Sequence, residues 1–344
     1  MVGPGELARR TRSLMTGRLE SLPILALSVH SACNCRCVMC DIWKANAEQR
    51  EISPDDLARH VDAIRGLHVQ RVMLTGGEPL LNRNLWALCE QLKALRIRIT
   101  LVTTGLLIAQ HAANIARAAD TVVISLDGDG EQHDAVRRVK SGFARIANGV
   151  MALRAEQPSP RLIARSVVQR ANAGGITDTI AAAHRMGFDE ISFLAADVSS
   201  QAFNRPEPWT TERAAEVAVG LDGLAPLRAS LDQAFDTHAV LFENGFVAGG
   251  RSSLERIHQY YSALAGEAEF PVVRCNAPWI SAVLETDGAV RPCFFHPAYS
   301  TGEVLDAAVN SASAITFRRS LDVATDATCR RCVCSLNLPV TQKV

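Results

Sequence analysis

The chain has 344 residues, with 36 basic against 36 acidic, so no net charge draws it to nucleic acid or to an anionic membrane. At 48% hydrophobic content it is long enough for one large domain and a smaller one with a packed core, which excludes disorder as the default. The longest apolar runs, such as Leu22 to Val29, fall well short of the ~18–20 residues of a membrane span.

The N-terminal stretch, residues 1–21, carries Arg9, Arg10, Arg12 and Arg18 but no apolar core of signal-peptide length, which points to a cytoplasmic protein and to a solvated first helix. A reducing compartment turns the reading of the ten cysteines from disulfides toward metal binding or catalysis. Beyond this arm, β-branched runs alternate with helical patterns. Strands are expected at Ile24–His30, Arg71–Thr75, Arg98–Thr103, Thr121–Leu126, Leu162–Gln169 and Glu190–Ala195. Helices are expected at Pro54–Gly66, opened by Ser53-Pro54, and at Leu85–Leu95, Ile108–Ala118, Phe143–Ala155 and Thr177–Met186. Six such units predict an α/β fold: a partial (β/α)6 TIM-type barrel over residues 22–200, open on one side. Residues 201–270, with the Pro206-Glu207-Pro208-Trp209 break and a helical run Leu254–Leu264, bridge to a small hairpin-and-helix domain at 271–344.

In such barrels the site lies where the strands end. Cys33, Cys37 and Cys40, spaced CxxxCxxC, follow the first strand and Gly76-Gly77-Glu78-Pro79 the second. Thr103-Thr104-Gly105 follows the third, and Ser125-Leu126-Asp127-Gly128 the fourth. Three thiolates on one short loop can hold three irons of a cubane cluster and leave the fourth open. Ser125 and Asp127 share a strand face, as do Arg165, Val167 and Gln169. Cys35 and Cys89 do not fit the triad spacing and read as structural. Further on, Cys275 and Cys293 flank a predicted hairpin, Ile280–Glu285 and Ala289–Pro292, that bends at Thr286-Asp287-Gly288. Cys329 and Cys332 form a CxxC knuckle with Cys334 beside it. Four such thiolates suit zinc or a cubane cluster, and spacing alone does not choose. His296 reads as a donor to sulfur there or as ordinary surface. Glu243, His258, Tyr260, Tyr261 and Trp279 read as substrate contacts or as ordinary helix and loop positions.

CxxxCxxC followed by GGEP resembles the radical S-adenosylmethionine (SAM) superfamily. The resemblance implies a 4Fe–4S cluster on Cys33, Cys37 and Cys40 and SAM on its open iron. The methionyl amino group would meet the backbone of Gly76, Gly77, Glu78 and Pro79, glycine permitting close approach. Thr104, Ser125, Asp127 and Arg165 would serve SAM, the last three its ribose or carboxylate. Met39 stands where many relatives place an aromatic residue against adenine, and a thioether can still pack on that face. C-x12-G-x4-C, a gap and CxxC resemble the SPASM or shorter twitch domains, implying a second, auxiliary 4Fe–4S cluster on Cys275, Cys293, Cys329 and Cys332, with Cys334 a fifth candidate. The few residues after Cys334, without further cysteine, fit the twitch form. The implied activity is hydrogen abstraction by a 5′-deoxyadenosyl radical from a small-molecule or peptide substrate, net oxidative, with the auxiliary cluster accepting the electron and a flavodoxin or ferredoxin as reductant. The short segment before the first strand favours a small molecule. Two alternatives stand beside it: a maturase of ribosomal peptides forming a C–C or C–S bond, and a non-catalytic iron–sulfur or zinc carrier or assembly protein. The GGEP run and the strand-end polar residues favour the enzyme.

Overall fold

A computed structural model describes residues 1–344. Six parallel strands run in chain order: β1 (Ile24–His30), β2 (Arg71–Gly76), β3 (Arg98–Thr103), β4 (Thr121–Ser125), β5 (Arg161–Val168) and β6 (Glu190–Ala195). Each pairs with its sequence neighbour, and the helices between them cover one side, the right-handed crossover of a partial barrel. Burial alternates along β5, with Leu162, Ala164, Ser166 and Val168 sealed and Ile163, Arg165 and Val167 half-buried. The sealed set packs under the helices; the half-buried set faces the open, concave side.

The sheet does not stop at β1. Strands β7 (Ser281–Leu284), β8 (Ala289–Arg291) and β9 (Ser300–Thr301) extend it to nine, in the order β6-β5-β4-β3-β2-β1-β7-β8-β9. Parallel pairing sets Ile24 against Ser281 and Leu27 against Leu284. The C-terminal hairpin is therefore a continuation of the barrel wall beside the strand that leads into Cys33.

Two expectations are corrected. The single helix Pro54–Gly66 is two, Pro54–Ala58 and Val61–Gly66. Ser53 caps the first with a reciprocal box to Asp56, but the break falls where buried His60 accepts the Leu305 N–H at 3.2 Å, so a contact far along the chain interrupts the local helix. The basic arm is solvated only in part, with Arg12 and Arg18 exposed and Arg9 half-buried but Arg10 sealed. It forms the helix Pro4–Thr16, on which Arg10 is 2% exposed, donates to Glu6 at 2.7 Å and reaches the Gln342 carbonyl at 2.7 Å. The bridging region is mostly helical: Thr211–Val217, Leu221–Thr237, Ala239–Glu243 and Gly250–Leu264.

Candidate active site

At the end of β1 the register slips between Ser28 and His30, a bulge that presses His30 onto β2. Gly76 sits there at φ +126, and a Cβ on it would lie 2.3 Å from the His30 carbonyl oxygen; one on Gly77 would lie 2.1 Å from that of Ala32. Both glycines are thus demanded by the cysteine loop itself. Gly77 and Glu78 donate their N–H groups to His30 and Ala32, so toward a ligand this segment offers carbonyl oxygen.

Glu78 turns inward. Fully buried, it accepts from the Leu80 and Thr104 N–H groups at 3.0 and 2.7 Å and from the Thr103 hydroxyl at 2.8 Å. Burial pushes its carboxyl above the ordinary value against those bonds. Thr104 in turn donates to Asn34 at 2.9 Å, inside the cysteine loop. The expected SAM contacts Glu78 and Thr104 therefore serve first to lock three strand-end loops together.

The cysteine loop is fastened from every side. Asn46 brackets Cys33, accepting from its N–H at 2.9 Å and donating to its carbonyl at 2.8 Å. Arg36 and Val38 donate to the carbonyls of Arg137 and Val136. Trp43 caps the Cys40 carbonyl at 2.9 Å, and Trp209 holds Asp41 at 2.8 Å. Trp209, in the predicted Pro-rich break, is stacked under Arg205, itself paired with Asp197 at 3.0 Å.

Asp127 corrects the sequence reading most sharply. Expected to face a ligand at the rim, it is fully buried, with one oxygen on Arg137 Nε at 2.5 Å and the other accepting from the Val167 N–H at 2.7 Å. Arg137 was not singled out from sequence. It lies on the helix Glu131–Arg137 and brings Nη1 to 3.6 Å from Cys37 Sγ. A hydrogen bond from the buried Cys35 thiol and then the Arg137 charge, against burial, draw Cys37 down to about 6. Half-buried Cys40 is pushed up by burial to about 12 although the Ile42 N–H points at its sulfur. Cys35 touches both Cys33 and Cys37 and its own thiol is held protonated, while Cys89, up to about 12 by burial, is a core residue. Met39 is buried in the same loop.

Ser125 pairs with Arg165 across β4 and β5, and Arg165 with Ser192 across β5 and β6, so the three share one rung of the concave wall. Arg165 Nε donates to Ser192 Oγ at 3.2 Å. A cavity of about 540 Å3 opens beside Gly76 and Gly77, walled by His30, Thr75, Asn204, Arg205 and Glu285, a size that suits a small ligand.

Of the C-terminal thiols, Cys275 precedes β7, Cys293 follows β8, Cys329 lies on the helix Ala327–Arg330, and Cys332 and Cys334 follow that helix. Burial first, then the nearby Cys275 and Cys334 sulfurs, raise Cys293 to about 11 and Cys332 to about 12. Cys329 also rises, by burial and the nearby Asp326 carboxylate. Donors already point at these sulfurs: the Phe295 and His296 N–H groups at Cys293, the Cys334 N–H at Cys332, and His296 Nε2 at 3.4 Å from Cys329 Sγ. His296 Nε2 lies between the Cys329 sulfur and the Asp326 carboxylate, the latter 3.6 Å away. Asp326 caps the helix Ala327–Arg330, accepting from the Thr328 and Cys329 N–H groups and so fixing the CxxC turn. No three of the five thiols lie within 4.8 Å of one another.

The bridging-region candidates fall elsewhere. Tyr261 is fully buried and its hydroxyl pins β5 to β6, donating to the Val168 carbonyl at 2.6 Å and accepting from the Ala196 N–H at 2.9 Å. Tyr260 packs against it, Glu243 is exposed at a helix end, His258 meets Ser262 on an outer face, and Trp279 is half-buried before β7. No helix is long and apolar enough to cross a membrane.

Comparison with known proteins agrees with this arrangement. The model of the radical SAM superfamily matches residues 27–169, and that of the SPASM iron–sulfur cluster-binding domain matches 275–333. A probable GTP 3′,8-cyclase of Methanopyrus kandleri is 36% identical over 102 residues, covering 29% of this chain and 33% of its own. An AdoMet-dependent heme synthase of Methanosarcina barkeri is 27% identical over 168 residues, 48% of each chain. The matches thus span less than half the length of these relatives. Among solved structures, Streptococcus suis SuiB bound to S-adenosylmethionine superposes with a TM-score of 0.64 at 16% identity, covering 95% of this chain and 75% of that one. The enzyme anSMEcpe with bound AdoMet and Cp18Cys peptide gives 0.63 at 18%, covering 90% and 87%. At such identities these establish a shared fold. With both domain models seated on the two thiol groups, the chain belongs to the radical SAM superfamily and carries a C-terminal SPASM-type iron–sulfur domain.

Proposed function

We propose that the protein is a SAM-dependent oxidoreductase acting on a carbon of a small molecule, with Cys33, Cys37 and Cys40 holding the SAM-binding 4Fe–4S cluster and Cys275, Cys293, Cys329 and Cys332 an auxiliary one. When bound, these groups supply a 5′-deoxyadenosyl radical that removes hydrogen from the substrate and a second iron–sulfur centre that takes up an electron. The observation that carries the reading is the set of N–H donors already aimed at Cys37, Cys40, Cys293, Cys329 and Cys332, because such bonds stabilise thiolate ligands.

The chain's own residues do the positioning. The carbonyls of the Gly76–Gly77 turn suit an ammonium group, and the free Ser125 hydroxyl suits a ribose. Arg137 is in contact with Cys37, one of the three thiols that would hold the cluster, so we assign the methionyl carboxylate to Arg137. Asp127 keeps that guanidinium in place. The loop carrying Phe203 and Asn204, both left-handed with φ 61 and 64, lines one side of the cavity.

The test is anaerobic reconstitution with iron and sulfide, then dithionite and SAM. About eight irons per chain are expected, with 5′-deoxyadenosine formation lost in a Cys33/Cys37/Cys40→Ala variant and kept in a Cys275/Cys293→Ala variant. About four irons with bound zinc would make the C-terminal site structural and remove the auxiliary cluster. No deoxyadenosine at full cluster load, with or without extract from the source cells, would leave a carrier.

A further inference from the structure

The cavity beside Gly76 and Gly77 is walled on its barrel side by polar side chains that the protein leaves open. Ser28 and Thr75 are register partners on β1 and β2, and both line it. Ser28 is 5% exposed and Thr75 half-buried, and neither hydroxyl makes a hydrogen bond within the chain. His30, also 5% exposed, follows at the bulge and lines the same space. Its Nδ1 accepts the Ala32 N–H at 3.0 Å, which leaves Nε2 as the ring donor for a ligand. On the other side of β1, Glu285 directly follows Leu284, the partner of Leu27, so it comes level with Ser28 on the cavity wall. Buried polar side chains are hydrogen-bonded in the great majority of cases, so an open set on one wall of a cavity marks where the bonds of a ligand belong.

The charges around the cavity narrow the choice of ligand. Arg205 is committed to Asp197 at 3.0 Å. Arg291 meets the Glu285 carboxylate only at 3.5 Å, beyond the ~2.7–2.9 Å of a charge-assisted hydrogen bond, so that carboxylate is free to accept from elsewhere. Asp287, exposed in the hairpin turn, accepts the Ala289 N–H at 2.9 Å. Each cation of the lining has a carboxylate beside it, and nothing here calls for an anion. What stays open is two hydroxyls, an imidazole N–H and a carboxylate. That mixture of donors and acceptors is answered by hydroxyl groups, each of which both donates and accepts. The remaining walls set such a ligand between the two thiol groups, since Ile42 and Ala45 follow the cysteine loop and Phe294 follows Cys293.

We propose that Ser28, Thr75, His30 and Glu285 form the substrate-recognition wall, and that it takes an uncharged small molecule carrying several hydroxyl groups, a polyol or sugar. The word substrate rests on the proposed function, although the hydroxyl site itself is defined without it. Glu285 accepts from a ligand hydroxyl, His30 donates to one, and Ser28 and Thr75 do either.

The experiment titrates the reconstituted full chain with glycerol, myo-inositol and glucose in turn, with acetate as the anionic control, and follows binding by isothermal titration calorimetry with and without SAM. Saturable binding of at least one of the three probes is expected, tighter than that of acetate and retained when SAM is present. It should weaken about tenfold in Glu285→Gln, which keeps the size of the side chain and removes its charge, and about threefold in each of Ser28→Ala and Thr75→Val. Urea unfolding of each variant separates a lost site from a lost fold, and Ser28→Ala, which removes one oxygen, keeps the test open should Glu285→Gln unfold. Saturable binding of none of the three probes, or tighter binding of acetate, overturns the proposal. So does polyol binding unchanged in both Glu285→Gln and Ser28→Ala, which puts the probe elsewhere. Displacement of the probe by SAM overturns it too, by giving the wall to SAM. Should the protein fail to make deoxyadenosine, polyol binding that still depends on Glu285 supports the site while the catalytic reading falls on its own.

Discussion

Arg137 and Asp127 form the most consequential pair of side chains in the molecule, since a buried ion pair costs little whole and much when halved. Arg137→Met leaves the Asp127 carboxylate sealed without its partner and is expected to destabilise the fold by about 3–5 kcal/mol in urea unfolding. The double variant Arg137→Met/Asp127→Asn should recover a substantial part; additive losses would show that the two act independently. His133, below them, accepts the Asp127 N–H at 3.1 Å through Nδ1 and is 1% exposed. Burial, then the Arg137 charge, lowers its pKa to about 4 from 6.5. A depressed folded-state pKa means that the unfolded chain binds the proton first. Stability is therefore full above pH 6.5 and is lost as pH falls toward 4, by about 2 kcal/mol at pH 5. Chemical unfolding at pH 7.5 and 5 measures this, and His133→Gln should flatten that part of the slope; an unchanged slope would move the effect to another group.

Among elements, the tie between loops matters more than any one helix or strand. Glu78 accepts three hydrogen bonds from two strand ends, and Gln in its place turns an amide N–H toward a donor. Glu78→Gln is expected to cost about 1–3 kcal/mol and to loosen the cysteine loop through Thr104 and Asn34, seen as faster amide exchange at residues 33–40. Exchange confined to residues 76–82 would show that the loops are not coupled. The six strands of the barrel were legible because each carries its own short β-branched run between turn signals, and their ends, where the cysteines and GGEP fall, follow from the strands. What was not legible depends on distance along the chain. His60 breaks a helix for the sake of Leu305, Arg137 meets Cys37 across 100 residues, and Asp127 obeys strand alternation in sequence yet is turned inward by an arginine ten residues on. Strand β9, two residues long, carries no periodicity to read.

At the scale of the whole molecule, β7 decides whether the barrel has a raw margin. A chain stopped at residue 270 strips β1 of its partner along Ile24–Leu27, and removes the Gln342 carbonyl from Arg10. Exposed margins of apolar strands pair with other chains, so residues 1–270 alone are expected to be aggregated in light scattering and to be rescued by supplying 271–344 in trans. A monomeric, soluble 1–270 with native near-ultraviolet dichroism would contradict this. The same pairing bears on how the protein is made. Ile24 leaves the ribosome early and its partner Ser281 late, so at ~5–20 residues per second the strand beside the cysteine loop waits on the order of tens of seconds for its neighbour. Throughout that interval the nascent barrel is open along the strand that feeds its iron-binding loop. The protein's yield in the cell should therefore depend on translation rate and on chaperones that shield that seam.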